Sequence, residues 1–169
     1  MGSTTATGSL TGVTIGGVTA VIHATITDAT GFGMSCIASA VVPTGTTANI
    51  VTTSATTWER GFVSVYRITG LGSTTPLNSQ TQYLTGSTAT SLTMVTEPDA
   101  IVIAGVVTPR GSNTSFVWTS PLTENLDKKI TGENSNISTA SVAATGGTVA
   151  CIATPSISAT RYATGVSFR

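Results

Sequence analysis

Hydroxyl side chains stand where most soluble proteins carry charges, and this constrains the fold more than any other feature of the chain. Charged residues make up only 8% of its 169 residues, against roughly 25% in a typical soluble domain. Serine and threonine together account for about a third of the sequence. Threonine is β-branched, which disfavours it in helices and suits the half-buried face of a pleated strand. The sequence therefore predicts an all-β protein.

Apolar residues recur at alternate positions in short segments, with turn residues between them. Residues 100–107 and 34–42 are nearly unbroken apolar runs, which is typical of strands buried on both faces. No segment has the 3.6-residue period of a long amphipathic helix. About ten to twelve strands at a spacing of roughly 8–12 residues predict an antiparallel β-sandwich, jelly-roll-like in arrangement. The predicted strands are residues 12–26, 34–42, 48–57, 62–68, 80–84, 90–95, 100–107, 115–119, 122–130, 137–144, 148–153 and 159–168.

Two short motifs predict reversals of the chain. Residues 96–99 read Thr-Glu-Pro-Asp, in which proline pre-sets φ and aspartate can bond its own backbone, as in a β-turn. Thr145-Gly146-Gly147 lies between two predicted strands and is a hairpin signal. Among the predicted strands, residues 62–68 form the clearest core strand in the middle of the chain.

The length and hydropathy indicate one folded domain with a short arm. Disordered chains combine low hydrophobicity with high net charge, whereas 40% of these residues are hydrophobic and the mean hydropathy is +0.31. Residues 1–11 contain almost only Gly, Ser, Thr and Ala, so they predict a flexible N-terminal arm that orders against a neighbour. Residues 12–169 are predicted to form a single β-sandwich domain.

The charge balance bears on partners and on location. The formal net charge is zero, and the one adjacent basic pair, Lys128-Lys129, follows Asp127, so nucleic acid is not an expected partner. A near-neutral surface favours association, which indicates a homo-oligomer or a large partner. No apolar run approaches the 18 or so residues of a membrane span, and no signal peptide is recognisable. We therefore expect synthesis in the cytoplasm and no membrane partner.

The two cysteines, Cys36 and Cys151, lie in similar apolar segments, Ser-Cys-Ile-Ala and Ala-Cys-Ile-Ala. In a reducing compartment the pattern favours two buried thiols that act as small hydrophobic residues. A disulfide between them is the alternative, and it would stabilise by about 3–5 kcal/mol in the chain-entropy model.

No combination of residues indicates a catalytic, cofactor or metal site. His23 is the only histidine and lies within a strand pattern, where a hydrogen-bonded or exposed histidine is the expected role. Glu97 and Asp99 are the nearest pair of acids, but the turn interpretation is preferred to a glycosidase pair. Two cysteines and one histidine do not supply a zinc site, and residues 125–127 and 133–136 match no calcium loop. We expect no enzyme activity and no cofactor.

Aromatic residues could serve either as core or as a contact surface. Packing in the core is the preferred interpretation for most of them. Trp58 precedes Glu59-Arg60 at a predicted strand edge, and Tyr83 lies close to Gln80 and Gln82. Exposed aromatic rings beside polar groups are typical of shallow sugar sites, so Trp58 and Tyr83 are candidate partner or glycan contacts.

The order of turns and apolar strands in residues 50–169 resembles small β-sandwich virion proteins of tailed bacteriophages, namely capsid decoration proteins, head fibres and tail-associated modules. Residues 1–45 do not share the resemblance. The segments that carry it are residues 63–68, 96–105, 116–119, 122–127, 141–144, 146–147 and 163–168.

The resemblance implies a non-enzymatic part of a particle that is present in many copies. The expected function is a capsid decoration protein, which stabilises the shell like a cement and has the major capsid protein or other virion proteins as partners. The expected location is the virion. The alternative is a receptor- or glycan-binding module of a tail fibre or head fibre.

Overall fold

The structure is a computed structural model, and it describes residues 10–27, 33–43, 45, 47–55, 61–109, 114–130 and 134–169. In this part of the chain all regular structure is β, and each strand pairing is antiparallel. The prediction of an all-β antiparallel protein is therefore confirmed. The same residues contain no helix long and apolar enough to cross a membrane. The strands are β1 Leu10–Ile15, β2 Val18–Thr19, β3 Val21–Thr27, β4 Met34–Ser39, β5 Ile50–Ser54, β6 Asn78–Leu84, β7 Thr90–Val107, β8 Phe116–Trp118, β9 Thr123–Ile130, β10 Ser135–Pro155 and β11 Arg161–Phe168.

Two very long strands, β7 and β10, form the framework of the fold. They span 18 and 21 residues and pair from Ile137 opposite Val107 to Ala153 opposite Thr90. β11 and β6 extend this ladder beside β7, while β9 and β8 pair with the two ends of β10. Because core residues from both halves of β7 and β10 form one cluster, the long ribbon is folded over into two layers.

The ribbon bends where the two predicted chain reversals meet. Thr145 on β10 lies opposite Pro98 on β7, and the register shifts between Ala144 and Thr145. Asp99 has a φ of 63° and Gly146 a φ of 104°, as expected at a bulge that bends a strand. Both predicted reversals are therefore wrong: the chain continues through each motif. The glycine and proline signals specify a corner because they lie opposite each other.

The main core lies between the two layers and follows the alternation of β7. Leu92 and Met94 before the corner, and Val102 and Val106 after it, belong to one buried cluster. β8 closes the open side with Phe116 and Trp118, which are also in this cluster. Small residues fill much of the remaining space, and this explains how an alanine-rich sequence can form a close-packed core.

The layer formed by β6, β11, β7 and β10 is the central layer. Its opposite face is also covered, so β11 is buried along its whole length. Val166 and Phe168 pack there with Ile103 and with residues of β3, β4 and the segment after residue 61. The β3–β4 hairpin lies over β11, and Ser35 Oγ is 2.8 Å from Thr164 Oγ1. The sandwich thus has an additional covering layer, and the jelly-roll arrangement is not confirmed.

The N-terminal third differs most from the sequence-based expectation. The predicted strand 12–26 is three strands, because Gly16 and Gly17, with φ of 60° and 80°, turn the chain between β1 and β2. β1 begins at Leu10, inside the predicted arm, whose residues 1–9 lie outside the described residues. The expectation that residues 34–42 are buried on both faces is wrong. β4 is half-buried throughout and ends at Ser39, since only one of its faces covers the sheet.

Candidate interaction surfaces

The two cysteines lie on different sides of the central layer. Cys151 on β10 belongs to the main core and is 1% exposed, whereas Cys36 on β4 is half-buried in the covering hairpin. Both are free thiols. Burial raises the pKa of Cys36 to about 11 and that of Cys151 to about 12. Protonated thiols are poor nucleophiles and poor metal ligands, so the geometry favours the interpretation as small apolar residues.

His23 is held inside the covering layer by one hydroxyl and one ring. Its Nε2 is 2.7 Å from Ser39 Oγ, and its ring meets Phe168 edge-on at a centroid distance of 5.2 Å. Burial lowers the pKa of His23 below its ordinary value. This placement fits the expectation of a hydrogen-bonded strand histidine.

The lowered pKa of His23 predicts that the protein loses stability in mild acid. The folded-state pKa lies below the unfolded value of about 6.5, so the unfolded chain takes up the proton first as the pH falls through that value. We expect the melting temperature of the wild type to fall more between pH 7.5 and 5.5 than that of His23→Gln. Thermal unfolding followed by circular dichroism at several pH values measures this, and parallel curves for the two proteins would contradict it.

The pair Glu97 and Asp99 sits at the corner of the ribbon. Glu97 forms a salt bridge with Arg169 at the C-terminal end. Asp99 is exposed and adopts a left-handed backbone conformation, with a φ of 63°. The two acids thus have separate roles in the corner, one as an ion-pair partner and the other as a bulge residue.

Of the two candidate aromatic contacts, Trp58 lies outside the described residues. Tyr83 is on β6, at the edge of the central layer, and is 43% exposed. Its ring packs against the buried ring of Tyr162 at a centroid distance of 5.3 Å. The nearby Gln82 accepts a hydrogen bond from the backbone N–H of Ser91 at 2.7 Å, so one of the polar groups expected beside it is already used within the fold.

A buried polar network that the sequence analysis did not identify closes one end of the sandwich. Asn136 is 2% exposed, and its Nδ2 donates to the backbone oxygen of Thr114 at 2.8 Å and to Asp127 Oδ1 at 2.5 Å. Asp127 Oδ2 accepts from the backbone N–H of Phe116 at 3.1 Å. Ser156 Oγ lies 3.2 Å from Thr114 Oγ1. The network ties β8, β9 and β10 together.

The network uses the groups that a calcium site would need. Both carboxylate oxygens of Asp127 already accept hydrogen bonds from protein donors. Asn125, two residues away, instead accepts a hydrogen bond from the hydroxyl of Tyr66 at 2.8 Å, and Glu133 lies outside the described residues. Among the described residues, no three His, Cys, Asp or Glu side chains come together as a metal-binding group.

The stretch of residues 61–69 lies on the outside of the fold. Burial alternates along it as in a strand, with Tyr66 and Ile68 packed onto the central layer. Tyr66 also donates its hydroxyl to Asn125 and lies 2.9 Å from Thr139 Oγ1. Val63 and Val65 point outward and are 62% and 67% exposed.

The backbone of residues 61–69 has no hydrogen-bonding partner in the described part of the chain. Among the described residues, no backbone–backbone hydrogen bond involves this segment, and no ladder includes it. The predicted core strand is therefore extended, as expected, but the prediction that it lies in the core is wrong. It covers the sheet from outside. To its surroundings it presents Val63 and Val65 and backbone groups that pair with no described residue.

We compared the chain with models of protein families, with curated proteins and with solved structures, and none of the three comparisons gave a match.

Proposed function

We propose that this chain is a non-enzymatic structural protein of a tailed-phage virion, present in many copies, that binds the outside of the capsid and stabilises it. The observation that carries the proposal is the open segment, residues 61–69. A segment that is held firmly on its inner side and unpaired in its backbone is ready to receive another strand.

The inner side of the open segment is fixed before any partner arrives. Tyr66 and Ile68 are packed with Val166 and Phe168 on the central layer, and Tyr66 has two hydrogen-bonding partners. Binding therefore costs little conformational entropy on this side of the interface. A strand of a shell protein would gain backbone hydrogen bonds, while Val63 and Val65 would bury apolar surface.

The electrostatics of the whole chain also favour attachment to a large surface. The formal net charge is zero, and only 14 side chains are charged. Few ions must therefore lose their hydration when the protein is covered, and the cost of burying unpaired charges is largely avoided. Such a surface suits a protein that is placed once and stays in the particle.

The proposal can be tested by placing charged side chains in the open segment. We expect the wild type to bind expanded capsids of its parent phage and to raise their melting temperature. The double variant Val63→Lys/Val65→Lys places two ammonium groups in the contact, and should weaken binding by about tenfold or more, which corresponds to at least about 1.4 kcal/mol. Co-sedimentation with capsids and scanning calorimetry of the capsids measure the two effects.

The matched control is Val117→Lys, because Val117 on β8 is 69% exposed and lies outside the open segment. It should bind as the wild type does. Surface changes of this kind alter stability by no more than about 0.5 kcal/mol, so all variants should remain folded. If the wild-type protein neither binds capsids nor makes them more heat-stable, the proposal is wrong.

The second candidate is a glycan-binding module of a fibre, and the exposed ring of Tyr83 favours it. The ring is backed by Tyr162, which gives it the fixed orientation that stacking on a sugar requires. A glycan array that binds the wild type but not Tyr83→Ala would support this function, and an array without signal would exclude it.

A further inference from the structure

The small sheet formed by β2, β1 and β5 buries very little within its own chain. Val13 is the one hydrophobic residue of these three strands that is buried. Beyond its own strands, its main neighbour among the described elements is β3. Three strands become stable when an apolar face is covered, and little in the described chain covers this one.

The register of the small sheet places its apolar residues on one face. Ile15 lies opposite Val18 on one side and opposite Ile50 on the other. Because directly opposed residues share a face and side chains alternate along a strand, Val13 belongs to the same face. Val18, Ile15 and Ile50 are all exposed or half-buried.

At Ile50 and Thr52, the outer edge of β5 has no pairing strand among the described residues. Among the described strands β5 pairs with β1 alone. The backbone oxygens of Asn49 and Thr53 face β1, where they accept from the Gly16 N–H at 2.8 Å and the Thr11 hydroxyl at 3.1 Å. Since backbone groups alternate in direction along a strand, those of Ile50 and Thr52 point away from β1.

None of the usual devices that protect an edge strand is present on β5. Natural edge strands carry charges, prolines or bulges that prevent pairing. β5 reads Ile-Val-Thr-Thr-Ser, and its second residue, Val51, is 54% exposed. The bulge in this sheet is in the β1–β5 ladder, between Leu10 and Gly12, on the inner side of β5 and opposite its C-terminal end.

The charge distribution shows what kind of partner fits. Among the first 58 residues Asp28 alone is charged, whereas the rest of the chain holds the other 13 of the 14 charged residues. A charged partner would lose hydration at this surface without gaining an ion pair. The same surface of another copy brings no charge to bury. In addition, an antiparallel edge strand can pair with its own copy about a two-fold axis.

We propose that β5 pairs antiparallel with β5 of a second copy of this chain, so that two three-stranded sheets join into one six-stranded sheet across a two-fold dimer. The dimer forms without any capsid, and therefore does not depend on the proposed function. Its contact is separate from the open segment at residues 61–69. Because only a short strand is paired, the interface is small and we expect a dissociation constant in the range of about 1–100 μM.

Sedimentation equilibrium of the purified chain tests the proposal over a concentration range that spans this constant. The wild type should pass from monomer to dimer as the concentration rises. Val51→Lys places like charges near each other across the two-fold axis, and should raise the dissociation constant by about tenfold or more. Val51→Thr, which is uncharged and β-branched, should dimerise like the wild type, and so should Val117→Lys.

Hydrogen exchange measured by NMR gives a second reading that does not depend on a variant. The amide of Thr52 points outward and should be protected only at concentrations at which the dimer forms, whereas that of Thr53 should be protected throughout. A wild type that is monomeric at every concentration, a trimer, or a dimer unaffected by Val51→Lys would overturn the proposal. Capsid binding is scored separately with the Val63→Lys/Val65→Lys variant, so the two proposals can fail independently.

Discussion

Replacing Arg161 with alanine should lower the free energy of unfolding by about 3–5 kcal/mol, which is a large part of the roughly 5–15 kcal/mol typical of a native domain. Arg161 begins β11 and is fully buried, with 0% exposure. Its guanidinium donates to the backbone oxygens of Gly86 at 2.5 Å, Ala159 at 3.0 Å and Thr88. Gly86 and Thr88 lie in the β6–β7 connection, and Ala159 lies in the β10–β11 connection. The side chain therefore joins these two connections to the start of β11.

The loss has two parts. Removal of the guanidinium leaves the oxygen of the buried Ala159 without this donor, at about 1–3 kcal/mol for an unsatisfied buried group. Thr88 is exposed, so its oxygen can bind water instead. The oxygen of Gly86 keeps one partner, the backbone N–H of Ala159 at 3.0 Å. The missing side chain also leaves a cavity. Burial lowers the pKa of Arg161, because the enclosed guanidinium loses its hydration.

Two further variants separate these contributions. Arg161→Met fills most of the volume but donates no hydrogen bond, so its loss should lie between those of the wild type and Arg161→Ala. Arg67→Ala removes an exposed arginine and should change stability by no more than about 0.5 kcal/mol. Urea unfolding at constant pH measures all of them. A loss below about 1 kcal/mol for Arg161→Ala would contradict the prediction, because the cavity and the unsatisfied oxygen of Ala159 together should exceed it.

The second large effect is expected at the corner of the ribbon, where Gly146→Ala should destabilise by about 2–4 kcal/mol. Gly146 has a φ of 104°, a conformation that costs a residue with a side chain on the order of 1–3 kcal/mol. An added Cβ would lie 3.3 Å from Pro98 Cδ on the facing strand, so the two sides of the corner would have to separate. The main core should then pack less closely, since both layers meet at this corner.

Gly147→Ala is the matched control for the corner. Gly147 has a φ of 87°, but an added Cβ would meet nothing within 4 Å. Its variant should therefore show the backbone strain alone and lose less stability than Gly146→Ala. The double variant Pro98→Ala/Gly146→Ala should recover the part that comes from contact, as a double-mutant cycle measures. Equal losses at the two glycines would show that the contact with Pro98 has no effect.

The strands themselves were largely predictable, because the alternation that defines them is local. The apolar faces read from residues 90–95 and 100–107 are those that enter the core. The C-terminal strand is also where the sequence places it, although Arg161 within it is a buried cation that an apolar pattern does not reveal. Its three partners are backbone oxygens. Every residue has such an oxygen, so the sequence does not show which of them Arg161 contacts.

The candidate surfaces were harder to predict than the strands. Residues 62–68 have the same alternating pattern as a core strand, and the pattern does not say whether a neighbouring strand will pair with the backbone. The network around Asn136 and Asp127 joins residues from three strands, so no short sequence motif predicts it. Tyr83 was named from the sequence as a candidate partner or glycan contact. Its place on the edge strand β6 and the packing of its ring on Tyr162 appear only in the fold.

The amino-acid sequence by itself determined that this protein is built from strands, which positions face a core, and that its N-terminal third is almost without charge. Those properties depend on neighbours a few residues apart, where β-branching and alternation act. Only the tertiary structure decided that Pro98 and Gly146 form one corner rather than two reversals. A glycine with positive φ fits a hairpin and a bulge equally well, and the choice depends on a pairing partner about fifty residues away along the chain.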